Sequence, residues 1–150
     1  MAASTEVLIG DPNGEHLLIR PLSWCHPGFF DHSDGNWIDC ELQIAAGGFR
    51  AHFRANLRTP EFAPFLEQLQ GLQHTLASSA HFTTMEEQIA LHLTGDGTGG
   101  VRVKGEALDG AGVGNRLQFA FDIDQTCLAP MCQSLERLLA AFPVRGASDE

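Results

Sequence analysis

The sequence predicts an α+β domain in which an antiparallel β-sheet of about five to seven strands carries two amphipathic helices packed on one face. Three observations lead to this prediction: apolar and polar residues alternate in several segments, short turns separate those segments, and two other segments repeat apolar residues at helical spacing. Short turns cannot join parallel strands, because parallel neighbours need long crossovers. One domain over residues 1–150 is expected, with a loop at about 21–36, a frayed tail at 147–150 and no internal repeat.

The first strands are predicted at residues 6–10 and 16–20, two short apolar runs that flank a turn-forming Asp-Pro-Asn-Gly group. Residues 21–36 follow and are rich in proline, glycine, aspartate and aromatic side chains. They are predicted to form a surface loop, and loops of this length in small domains are often functional.

A second hairpin is predicted from strict alternation over residues 37–44 and 49–55, with the turn at the glycine pair 47–48. Period-two alternation is typical of strands that bury one face. The predicted register pairs Leu42 with Phe53 on the buried face and Glu41 with Arg54 on the solvent face.

The remaining elements follow from capping residues and periodicity. Thr59, Pro60 and Glu61 resemble a helix start, and leucine and phenylalanine residues recur after them at helical spacing. Three further alternating strands are predicted at 88–93, 100–106 and 117–123, joined by residues 94–99 and 105–115. A last amphipathic helix over 131–142 is predicted to end before Pro143, with Asp124 as a turn or cap residue ahead of it.

Charge and composition exclude several classes of partner. Nine Lys and Arg residues against nineteen Asp and Glu residues give a formal net charge of −10. Nucleic acids and anionic membranes are recognised by basic surfaces, so neither is expected as a partner. The chain contains no apolar stretch long enough to span a membrane, and its first residues do not resemble a signal peptide. A cytoplasmic location with reduced cysteines is therefore expected.

The motifs that carry chemistry are weak. No nucleophile, base or metal-protease pattern is present, so no catalytic residue and no cofactor are predicted. The glycine-rich segment 94–100 precedes a strand and is interpreted as a turn rather than as a phosphate loop. A metal site is the alternative hypothesis, because six possible ligands lie close together in sequence although without a metal-binding spacing. These residues are Cys25, His26, Asp31, His32, Asp34 and Cys40, of which Cys25, His26 and His32 are the principal candidates.

A binding surface is the favoured interpretation of the same region. Aromatic side chains beside carboxylates suit recognition of a basic protein, because rings supply contact energy and charge supplies steering. The alternative is that the phenylalanine pair covers the end of the core and the acids are merely solvated. The candidate partner-binding residues are Trp24, Phe29, Phe30, Asp31, Asp34, Asp39 and Glu41.

The chain resembles the WapI-type immunity family of bacterial polymorphic-toxin systems. The resemblance rests on Asp-Gly-Asn-Trp-Ile at 34–38, Leu-Arg-Thr-Pro-Glu-Phe at 57–62, and the segments 96–103 and 117–128, and it extends to about Pro143. The chain departs from the family pattern at Glu61 and Phe62 and in its cysteine-containing loop. The resemblance implies a small cytosolic, non-catalytic protein that binds and neutralises a toxin domain. A small metal-dependent enzyme and a structural or regulatory module are the alternatives.

Overall fold

The computed structural model describes residues 5–146 of the 150-residue chain. In chain order the elements are β1 (Val7–Gly10), β2 (His16–Trp24), β3 (Trp37–Ala46), β4 (Phe49–Arg58), α1 (Phe62–Thr75), β5 (Ser79–Thr83), β6 (Ile89–Gly95), β7 (Gly100–Gly110), β8 (Val113–Asp124) and α2 (Leu128–Ala141). Short 3-10 helices lie at Asp34–Asn36, Thr59–Glu61 and Gln125–Cys127. Neither α-helix in this part of the chain is long and apolar enough to cross a membrane.

The strands form two antiparallel sheets of four, in the orders β1-β2-β3-β4 and β5-β6-β7-β8. The α+β class and the antiparallel pairing are confirmed, whereas the single sheet of five to seven strands is a correction. Each strand pairs only with its neighbours in sequence, and α1 intervenes between β4 and β5. The chain therefore leaves the first sheet through a helix and starts the second sheet at a new edge.

The hairpin of β3 and β4 has the predicted register. Leu42 pairs with Phe53 and Glu41 with Arg54. The turn is at residues 47–48, where Gly47 has a φ of +58°, a conformation that glycine adopts without strain. Leu42 is fully buried, but Phe53 is only half-buried and packs at the margin of the core.

The two halves of the chain repeat one plan, which is a second correction. In each half, four sequential antiparallel strands lead through a three-residue 3-10 turn into a 14-residue helix. Both helices carry Ala-Pro at their second and third positions, Ala63-Pro64 in α1 and Ala129-Pro130 in α2. Proline is tolerated in a first helical turn because the amide hydrogens there have no partner within the helix. The shared Ala-Pro pair is the sequence signal of this repeat.

One continuous core joins both sheets and both helices. The helices pack against each other, α1 also packs on β5, and α2 packs on β1. At the α1 contact the side chain of Gln68 accepts a hydrogen bond of 2.6 Å from the backbone N–H of His81. Consequently, each helix packs on the first strand of the other half, α1 on β5 and α2 on β1, whereas both helices were predicted on one face of a single sheet.

Several boundaries differ from those predicted. Residues 21–24 extend β2, so the predicted loop is shorter than 21–36. The strand β5 was not predicted, because it presents only Ala80 and Phe82 to the core within five residues. β7 and β8 run on to a tight turn at 111–112, where a longer connection at 105–115 was expected. The predicted frayed tail at 147–150 lies outside the described residues.

Candidate functional site

The loop between β2 and β3 is held by a buried asparagine. Asn36 is fully buried, and its Nδ2 donates to the backbone oxygens of His32 (2.7 Å) and Arg145 (3.0 Å). Its Oδ1 accepts from the backbone N–H of Arg145 (2.7 Å) and from the hydroxyl of Thr59 (3.3 Å). Arg58 adds a guanidinium donor to the oxygen of His32 at 2.7 Å. The loop is thus fixed to the end of β4 and to the C-terminal segment.

Arg145 braces the outer part of this loop. Its guanidinium lies 3.9 Å from the ring centre of Trp24 and 4.7 Å from that of Phe30, within cation–π range of both. The same group donates to the backbone oxygens of Phe29 (2.7 Å) and Pro27 (3.3 Å). These contacts order the loop backbone.

Four predicted residues are displayed on this loop, and we call Phe29, Phe30, Asp31 and Asp34 the loop patch. The phenylalanines are 50% and 68% exposed, and both aspartates are exposed. The backbone N–H of Asp34 donates to the Asp31 carboxylate at 2.9 Å and lowers the pKa of that carboxyl group. Neither aspartate forms an ion pair within residues 5–146. The loop patch therefore combines two exposed rings with two exposed carboxylates.

The other three predicted residues do not belong to this patch. Trp24 is half-buried and packs edge-on against Phe142, with ring centres 5.2 Å apart. Asp39 and Glu41 lie on the outer face of the first sheet, where each is paired with basic side chains. Asp39 is bound by Arg54, whereas Glu41 is bound by Arg20 at 3.2 Å and by His52 at 2.9 Å.

The metal candidates are not brought together. Within residues 5–146, no group of three or more His, Cys, Asp or Glu side chains is placed to hold a metal ion. Cys25 donates weakly to Asn56, and His26 stacks on Phe29 with ring centres 5.3 Å apart. Cys40 is buried on the inner face of β3, where desolvation strongly raises the pKa of its thiol. A buried neutral thiol there is a core side chain rather than a ligand.

The residues that hold the loop were not predicted to do so. Asn36 and Thr59 lie within two of the segments that carry the family resemblance, but their contact spans the whole β3–β4 hairpin. Arg145 lies 109 positions beyond Asn36, so no local pattern could have indicated their pairing.

The family comparison covers nearly all of this architecture. Residues 7–143 match the model of the immunity protein WapI-like family. The chain belongs to the WapI-like immunity protein family. The matched region contains both sheets, both helices and the loop patch, and it ends just before Arg145, which braces the loop. No curated protein matches the chain.

The departure from the family pattern at Glu61 has a local role in this WapI-like protein. The Glu61 carboxylate accepts a hydrogen bond of 3.2 Å from the backbone N–H of Arg58, at the start of the 3-10 turn before α1. Partial burial raises the pKa of this carboxyl group. Its position indicates a capping role in the fold.

Proposed function

We propose that this protein is a non-enzymatic cytoplasmic immunity protein that neutralises a cognate toxin domain by direct contact through the loop patch. The observation that carries the proposal is the pair of exposed rings, Phe29 and Phe30, beside two carboxylates that form no ion pair with any other described residue. Membership of an immunity family supplies the class of partner. The charge of the patch favours a toxin domain with a basic contact surface.

The bracing of the loop supports a binding role on energetic grounds. Ordering a flexible loop and its side chains on association costs free energy that subtracts from affinity. Here the contacts of Asn36 and Arg145 already fix the loop backbone before any partner arrives. Phe29 and Phe30 can therefore contribute ring area to an interface at a reduced ordering cost.

The exposure of the phenylalanine pair also supports a contact surface over the alternative that the rings cover the end of the core. A ring that closes the end of a core is removed from water, whereas Phe30 is 68% exposed. Asp39 and Glu41 are paired with the guanidinium groups of Arg54 and Arg20 and contribute little to a long-range field. We therefore restrict the contact to the loop patch.

The test measures binding to a purified toxin domain, which the proposal expects to be encoded in the reading frame next to this gene. In Asp31→Asn/Asp34→Asn the association rate constant should fall and lose much of its salt dependence, because screening acts on steering charges. In Phe29→Ala/Phe30→Ala the dissociation rate should rise, with a loss of about 2–4 kcal/mol of binding free energy if the rings are hot spots.

A matched control is Glu67→Gln/Glu86→Gln, which removes the same charge at exposed positions outside the loop. It should leave the association rate close to that of the parent protein. If both loop variants bind and neutralise the toxin domain as the parent does, the loop patch is not the interface. If the parent does not bind that domain at all, the immunity assignment itself is wrong.

A further inference from the structure

The outer face of the second sheet carries a groove that the loop patch does not use. Its volume is about 610 Å³, and it crosses β5, β6, β7 and β8. His81, His92 and Lys104 lie side by side across β5, β6 and β7, since His81 pairs with His92 and His92 with Lys104. Small residues form the floor, including Gly105 and Ala120.

The groove is locally basic in an acidic protein. Lys104 is the only lysine of the chain, is exposed, and forms no ion pair within the described residues. The rings of His81 and His92 lie 4.1 Å apart beside it. Glu106 is the single carboxylate that lines the groove, and Arg116 binds it at 2.6 Å. The groove therefore carries a positive ammonium group that forms no ion pair within the described residues, although the chain as a whole has a formal net charge of −10.

We propose that this groove binds a carboxylate-bearing peptide segment of a partner protein, with the carboxylate at Lys104 beside His92. Charge complementarity favours an acidic group in the ligand, because Lys104 is exposed and forms no ion pair with a described acidic side chain. The floor explains why the occupant is a peptide rather than a free anion. Ala90 and Ala120 leave room for apolar side chains on either side of the carboxylate.

The groove is a second surface, separate from the loop patch of the proposed function. The loop patch lies beside the first sheet and is acidic, whereas the groove lies on the second sheet and attracts the opposite charge. A protein with both surfaces can contact two chemically different segments. Failure of one surface leaves the other unaffected.

The test is a titration of the purified protein with a hexaglutamate peptide, followed by amide chemical shifts. Shift changes should concentrate at His92, Lys104 and Gly105. Lys104→Gln should weaken binding about tenfold, as expected when a charge-assisted hydrogen bond is lost. His81→Gln, at the far end of the row, should weaken it less. Hexaglutamine should produce no comparable shifts.

The matched control is Arg50→Gln, which removes an exposed cation at the tip of the first long hairpin, outside the groove. It should bind hexaglutamate as the parent does. If Arg50→Gln and Lys104→Gln weaken hexaglutamate binding equally, the peptide is attracted to any exposed cation of the protein, and the proposal is overturned. Shift changes centred outside the groove, or protection of the groove by a second copy of the chain, would overturn it as well.

Discussion

The side chain of Asn36 binds the backbone of Arg145 through both its amide oxygen and its amide nitrogen, at 2.7 Å and 3.0 Å. The amide side chain thus accepts from the backbone N–H and donates to the backbone oxygen of one residue, as a neighbouring strand would. It joins the end of the loop to the segment after α2 and encloses most of the fold between its two partners. The position of the loop patch therefore depends on a contact between Asn36 and Arg145, at the C-terminal end of the described residues.

Replacing Asn36 with aspartate should destabilise the protein by about 2–4 kcal/mol, because it places a carboxylate against two carbonyl oxygens in a buried site. Asn36→Asp loses both donors, to His32 and to Arg145. Urea unfolding measures the change. Asn13→Asp alters an exposed asparagine in the first turn in the same way and should change stability little. Equal stability of the two variants would show that the hydrogen bonds of Asn36 to His32 and Arg145 do not stabilise the fold.

Gly105 is required by the Phe119 ring, which covers the inner side of β7. A Cβ added at Gly105 would overlap that ring. Gly105→Ala should therefore cost about 1–3 kcal/mol, the usual penalty of overpacking. The matched change Gly71→Ala, in the exposed face of α1 with open space around it, should stabilise by about 0.5–1 kcal/mol. Thermal unfolding of both variants tests the contrast in sign.

The four cysteines should divide into two pairs in thiol labelling. Cys40 and Cys132 are buried free thiols, whereas Cys25 and Cys127 are half-exposed. Burial raises the pKa of all four thiols, so even the accessible pair should react more slowly than a free cysteine. Labelling without denaturant should modify two sites first. Early modification of Cys40 would contradict its place in the core.

Asp96 should contribute to acid unfolding. Its carboxylate accepts hydrogen bonds from the backbone and hydroxyl of Thr98 and from the backbone of Gly100, and these lower its pKa in the folded state. Because the folded value lies below the unfolded one, this contribution is complete above the unfolded pKa and is lost as the pH falls through the folded pKa.

Asp96→Asn should therefore flatten the acid limb of the curve of unfolding free energy against pH. Asp34→Asn is the control, since the Asp34 carboxylate accepts no hydrogen bond within residues 5–146. An unchanged acid limb in Asp96→Asn would show that the turn does not depend on the ionised carboxylate.

The features predicted correctly are those fixed by residues close together in sequence. The Glu41–Arg54 register follows from period-two alternation around one glycine pair, and both lie within a single hairpin. The division into two sheets depends instead on where α1 packs, which alternation within strands does not encode. The loop patch was predicted from its residue types, but its support by Arg145 is a contact between distant segments. Likewise, the pairing of Asp39 and Glu41 with basic side chains required the neighbouring strands.

The repeated plan gives the fold a reciprocal organisation. α1 packs on β5 of the second half, and α2 packs on β1 of the first half, so each half supplies the helix that packs on the first strand of the other. The halves differ at the connection before their third strand, which is a short turn at 96–99 in one half and the aromatic, acidic loop in the other. The same position in the plan therefore serves as a plain turn in one half and as the candidate contact surface in the other.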